Sequence, residues 1–146
     1  MIYIFDIDGT LANLTHRLHF IEGPEKDWDS FYKACVNDTP IYETVELCKT
    51  LRMGNIVVYS TGRSEDIREE TKEWLWRNGL HTQPLYMRKI KDHRPDYIVK
   101  EELLDQIIKD FHFLARILGA FEDRQQVVDM YRRCGIKTYQ VADGKF

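Results

Sequence analysis

Two carboxylates one residue apart, Asp6 and Asp8, stand directly behind a short apolar run and directly before Gly9-Thr10. Paired acids of this kind, joined by donors from elsewhere in the chain, suit a site for a phosphate and a hard cation. Further along come Ser60-Thr61-Gly62-Arg63, then Asp96 and Lys100, then Glu122-Asp123. Hydroxyl, amide and cationic donors neutralise phosphoryl oxygens, and acids drawn from two places in the chain hold a hard cation. Each cluster has a plainer reading by itself. Asp6 and Asp8 would cap a turn, Ser60-Thr61-Gly62 a helix; Lys100 would be solvated, and Glu122-Asp123 would complement a helix dipole. A calcium-binding EF-hand loop does not fit, because Thr10 takes the place of the third ligand and the glycine comes too early. The clusters gain meaning from their order, each at the end of a candidate strand or in the helix beside it.

The elements that must position them alternate along the chain. Residues 2–5 form an apolar β-prone run, and residues 55–59 form a second that is apolar enough to be buried on both faces. Residues 85–87 and 117–121 supply two more candidate strands, and residues 136–141 a last one. Between them, apolar positions recur at helical spacing: Ile41, Val45, Cys48 and Leu51; Ile67, Thr71, Trp74 and Leu75; Val99, Leu103, Leu104 and Ile107; Val127, Val128, Tyr131 and Cys134. Thr39 reads as an N-cap with Pro40 at the first helical position. Residues 11–38 have weak periodicity and predict one or two short helices in a small cap held away from the sheet. The reading is α/β, a Rossmann-like three-layer fold with a mostly parallel sheet and helices on both faces, forming one domain over residues 1–146. In such a sheet, ligands bind beyond the carboxyl ends of the strands, where all four clusters fall.

Composition narrows the classes. With 146 residues, 43% hydrophobic and 31% charged, the chain suits one packed domain and excludes fibrous and disordered classes. No apolar stretch approaches the roughly 20 residues of a bilayer span, and Asp6 interrupts any signal-peptide pattern, so a cytoplasmic location and no membrane contact are expected. Cys35, Cys48 and Cys134 encode neither a disulfide framework nor a thiolate zinc site. A net charge of −3 argues against nonspecific coating of nucleic acid while leaving room for a local basic patch.

Taken together, Asp6-Ile7-Asp8-Gly9-Thr10, Thr61 after a hydrophobic strand, Lys100 and Glu122-Asp123 resemble the four ordered motifs of the haloacid dehalogenase superfamily of phosphohydrolases. Within it, residues 57–63, 94–102, 122–133 and 140–146 resemble the 3′-phosphatase domain of bacteriophage polynucleotide kinase/phosphatase, with Arg17, Arg63 and Asp96 at matching positions. The fourth motif departs from that pattern in reading Glu-Asp instead of Asp-Asp. The kinase half and its Gly-x-x-x-x-Gly-Lys-Ser/Thr loop are absent from the sequence, so no ATP-dependent kinase activity is expected.

The resemblance implies roles. Asp6 is the nucleophile that forms an aspartyl-phosphate, and Asp8 is the acid whose deprotonation makes activity fall at high pH. Thr61, Gly62, Lys100 and Arg63 bind phosphoryl oxygens, with Arg17 near the substrate and Asp96 positioning Lys100 or Arg63. Mg²⁺ is held by Asp6, the Asp8 carbonyl and Asp123, with Glu122 as a further or water-mediated ligand. The implied substrates are 3′-phosphorylated DNA or RNA ends, with a separate kinase or ligase as possible partner. A small phosphomonoester is the competing substrate, and a silent module that binds phosphorylated ends is the non-enzymatic alternative. Residues 88–94, rich in Arg and Lys, offer strand contacts or form a solvated loop. Trp28, Trp74, Trp76 and the tyrosines read mostly as core, with Trp76 or Tyr97 as an alternative stacking face, and His16 and His19 read as helix surface.

Overall fold

The computed structural model describes residues 1–80 and 84–145, so Phe146, the end of the last matching stretch, lies outside the described residues. Five parallel strands build the main sheet: β1 (Ile2–Phe5), β4 (Ile56–Ser64), β5 (Leu85–Arg88), β6 (Ile117–Glu122) and β7 (Thr138–Gln140). Their spatial order is β5-β4-β1-β6-β7. The chain thus builds outward from β1 to one side, then crosses over and builds to the other. The crevice at this reversal, beyond the carboxyl end of β1, is where the topology makes room for a ligand.

Side-chain alternation along the strands creates two cores. Phe5, Val57, Tyr59 and Phe121 face α2 (Tyr42–Arg52) and α3 (Arg68–Arg77), where they meet Val45, Cys48, Trp74 and Leu75. Ile2, Ile4, Val58 and Ala120 face α4 (Asp96–Phe111) and α5 (Gln125–Arg133), where they meet Leu104, Ile107, Val127, Met130 and Tyr131. This is the three-layer α/β arrangement that the alternating pattern predicts.

Between β1 and α2 the chain makes a small insert. A two-stranded antiparallel ribbon, β2 (Ala12–Asn13) against β3 (Thr39–Pro40), closes its base. Inside lie a 3₁₀ segment at Thr15–Phe20, α1 (Trp28–Lys33) and a second 3₁₀ turn at Ala34–Asn37. The ribbon corrects one expectation: Thr39 is not an N-cap and Pro40 does not open a helix. The residue before a proline favours extended backbone, and pairing with Ala12 and Asn13 uses that preference. Helix α2 starts instead at Tyr42, where Thr44 Oγ1 donates to the carbonyls of Ile41 and Thr10 and so ties the helix start to the loop after β1.

Two strand boundaries also move. β4 runs on through Thr61, Gly62 and Arg63, with a break in its register against β5 between Thr61 and Ser64. The last strand shortens to three residues.

Candidate active site

The alternation that places Ile2 and Ile4 towards α4 continues one step past the end of β1 to Asp6, and on β6 it runs from Ala120 to Glu122. Both carboxylates meet Lys100, on the buried face of α4. Lys100 Nζ donates to Asp6 Oδ1 and to Glu122 Oε2, each at 2.6 Å, and lies 3.7 Å from Asp96 Oδ2 at the start of the same helix. Only 1% of Lys100 is exposed. Burial opposes its charge, yet Asp6, Glu122 and Asp96 together hold its pKa well above the ordinary lysine value.

Asp123 completes the cluster. Its carboxylate sits between Gly9 and Gly144, where a Cβ on either glycine would overlap it, and Gly9 adopts φ +83°. One of its oxygens, Oδ1, is buried without a hydrogen-bond partner. Asp6, Glu122 and Asp123 can each offer an oxygen within 4.8 Å of the others'. One ammonium cannot neutralise three buried carboxylates. Burial, then each other's charge, raises Asp6 well above the usual carboxylate range and Asp123 to about 7; burial lifts Glu122 to about 7 against the pull of Lys100. An all-oxygen, charge-deficient cluster with an unpartnered oxygen fits a hard divalent cation.

Glu122 is the most constrained of the three. Its Oε2 accepts from Lys100, and its Oε1 faces the backbone amides of Asp123 and Arg124, each at 3.2 Å. The longer side chain therefore reaches Lys100 and shapes the loop after β6.

Asp8 lies in a second network. Arg17 Nη2 and Arg63 Nη2 each donate to Asp8 Oδ1 at 2.6 Å, and both arginines also donate to Asp38, Arg17 through Nε and Nη2 and Arg63 through Nη2. Burial pushes Asp8 up, but the charges of Arg63 and Arg17 outweigh it and bring its pKa down to about 2. Asp8 is thus ionised at neutral pH, unlike the proton-bearing acid expected from the sequence. An alkaline loss of activity does not follow from it.

A cavity of about 230 Å³ opens over these groups, lined by Asp6, Asp8, Thr61, Gly62, Asp96 and Lys100 from the sheet side. Arg17 and Arg63 are buried behind Asp8 and do not line it. The cations on its wall are Lys26, Arg88 and Arg124 as well as Lys100. Asp96 organises them: its Oδ1 accepts from Arg88 Nη2 at 3.0 Å, and its Oδ2 lies 3.4 Å from Arg124 Nη1. Among the described residues its charged partners are Arg88, Arg124 and Lys100 and not Arg63, and it sits against Gly62, where only a glycine leaves room for it.

Sequence reasoning did not single out Lys26, Asp38 or Arg124 for the site; it named Arg88 only in the basic run at residues 88–94 and Trp28 only as core. Arg88 ends β5 and Arg124 follows the acidic pair, so the strand-end rule that found the other clusters extends to both. Asp38 and Lys26 lie in the insert, where the periodicity is weak. His16, read as plain surface, places Nε2 2.8 Å from Asp38 Oδ1.

The raised acids give the cation-free protein a defined pH response. Glu122 and Asp123 bind protons more tightly folded than unfolded, so stability contributed by their protonated forms is present at low pH and lost as pH rises through about 7. Thermal melting in chelator should rise by several degrees from pH 8 to pH 5, and added Mg²⁺ should stabilise more at pH 8 than at pH 5. A cation effect independent of pH would contradict this account of the cluster.

The phosphatase domain of polynucleotide kinase PNKP matches this chain over residues 1–146. A chain of the Pnkp1/Rnl/Hen1 complex is 29% identical, with a TM-score of 0.76 over 99% of this chain and 46% of that one. A chain of the Pnkp1/Rnl/Hen1 RNA repair complex is 28% identical, with a TM-score of 0.82 over 99% of this chain and 43% of that one. The present chain spans less than half the length of either. The haloacid dehalogenase-like hydrolase SP0104 from Streptococcus pneumoniae has the same fold, with 14% identity and a TM-score of 0.70 over 95% of this chain and 83% of that one. The chain belongs to the PNKP phosphatase domain family and is a phosphatase of the haloacid dehalogenase type.

Proposed function

We propose that this phosphatase removes the 3′-phosphate from DNA or RNA ends through an aspartyl-phosphate on Asp6. The observation that carries the reading is the size and lining of the cavity. At about 230 Å³ it lies below the range of about 300–1,000 Å³ typical of sites that engulf a small ligand, so it suits a phosphorylated end whose remainder stays outside. The likeness to chains of an RNA repair complex supports the same class of substrate.

Asp6 attacks phosphorus from the cavity floor. Lys100, the Thr61 hydroxyl and the Gly62 amide face the phosphoryl oxygens, while Arg88 and Arg124 hold the ester at the rim. Asp6 and Asp123 would hold Mg²⁺, with Glu122 beside them; the cation's contribution when bound is to neutralise charge on the phosphoryl oxygens. Asp8, ionised before substrate enters, takes up a proton brought by the monoester monoanion and passes it to the leaving 3′ oxygen; it then accepts a proton from the water that attacks the aspartyl-phosphate, releasing inorganic phosphate and freeing Asp6. Arg17 and Arg63 keep the Asp8 carboxylate aimed and do not touch the phosphate. In this reading the enzyme is cytoplasmic, and a kinase or ligase on a separate chain takes over the healed end. Among the described residues, no helix is long and apolar enough to cross a membrane.

The direct test is phosphate release from a 3′-phosphorylated oligonucleotide, a 5′-phosphorylated control and a free 3′-mononucleotide, each with Mg²⁺. Selective release from the 3′ end, abolished in Asp6→Asn, is expected; equal or faster turnover of the mononucleotide would move the protein to the small-ester phosphatases. Asp8→Asn should lose about 10²–10⁴-fold on the oligonucleotide and far less on p-nitrophenyl phosphate, whose leaving group needs no proton. Equal losses on both would remove the acid role from Asp8.

A further inference from the structure

The cavity over Asp6 is too small for a nucleobase together with its sugar and phosphate, so the base of a bound end must lie at the mouth. The residue at the mouth is Trp28, the first residue of α1 in the insert. Its indole is 44% exposed, although tryptophan usually covers itself in a chain of this size. It packs edge-on to Phe31 at 5.7 Å and is stacked against Tyr32 at 6.0 Å between ring centroids, with Lys26 Nζ 5.6 Å from its own centroid, where a nucleobase would take the ammonium's place. Trp28 also lines three cavities at once: the small one over Asp6, a cleft of about 460 Å³ on one side and a cleft of about 690 Å³ on the other.

Resting on the proposed polynucleotide substrate, we infer that Trp28 is the stacking platform for the nucleobase of the 3′-terminal nucleotide, with the strand leaving through the 460 Å³ cleft. Charge selects that cleft. Its lining sets Arg88, Lys91, Arg94 and Arg124 against Asp29, Asp66 and Asp96, while the larger cleft sets Lys26 and Lys145 against Glu22, Asp123 and Asp143. Cationic side chains outnumber acidic ones in the first cleft and not in the second, so a strand's phosphates are drawn to the first. The run at residues 88–94 thereby receives a role through its position beside the mouth. A rigid, pre-braced indole loses little freedom on stacking, and an aromatic face accepts any base, which suits an enzyme that meets ends of many sequences.

The test compares two 3′-phosphorylated oligonucleotides that differ only in the last nucleotide, one ordinary and one abasic. The native enzyme should favour the ordinary end by roughly tenfold in kcat/KM, the scale of one base on an aromatic face. Trp28→Ala should bring that ratio towards one, and Trp28→Phe should keep most of it. Because each ratio is measured on one protein sample, partial loss of folded enzyme does not move it. An undiminished preference in Trp28→Ala, or no preference in the native enzyme, would overturn the stacking role while leaving the 3′-phosphatase reading intact. Hydrolysis of a small ester with neither oligonucleotide turned over would overturn both.

Discussion

The site depends on one buried ammonium. Lys100 projects from α4 into the reversal point of the sheet and joins Asp6 from β1 to Glu122 from β6, two strands that pair directly but lie far apart in the chain. Three acids drawn into a dry crevice would repel one another and drive its walls apart. The ammonium holds two of them 2.6 Å from itself and leaves an oxygen of Asp123 facing the gap. The same balance keeps the pocket incomplete in charge, and a divalent cation is the kind of group that would complete it. Truncating Lys100 would leave buried carboxylates uncompensated, a change that typically costs 3–5 kcal/mol for such pairs. Structure and chemistry therefore share one residue.

A second network, equally buried, ties the insert to the catalytic loop. Asp38 gathers Arg17 and Arg63, which in turn grip Asp8, and Trp74 Nε1 of α3 donates to the Asp38 carbonyl at 2.7 Å. The insert is thus anchored through charge at its floor, while Trp28 and its aromatic neighbours form its outer edge. This division explains how so short an insert can be fixed and still leave an indole partly exposed. It also separates two kinds of arginine that a linear motif treats alike: Arg17 and Arg63 shape an acid, and Arg88 and Arg124 face the cavity.

Much of this was legible in the sequence because strand ends are. Short apolar runs located β1 and β6, the second from a stretch that periodicity alone leaves open between strand and helix, and the acids just behind them fell where the topology puts a ligand. Helical spacing located α4, while the inward turn of Lys100 followed only from its conjunction with the other motifs. The insert was less legible, since its helical segments are short, its apolar periodicity is weak and its anchoring is ionic. Thr39 and Pro40 misled for a related reason: the cap-and-proline signature and an extended dipeptide before a helix look the same until the partner strand, Ala12 and Asn13, is known. The state of Asp8 was hidden as well, because its two arginines arrive from 9 and 55 residues away.

The proposed mechanism rests on Asp6 as the attacking group. That role is tested most directly by quenching the enzyme in acid during turnover of a 3′-phosphorylated oligonucleotide and mapping covalent phosphate by mass spectrometry. A phosphoryl adduct is expected on the peptide carrying Asp6, converted to homoserine at that position by borohydride reduction. Phosphate on any other residue, or full turnover by Asp6→Asn, would contradict it.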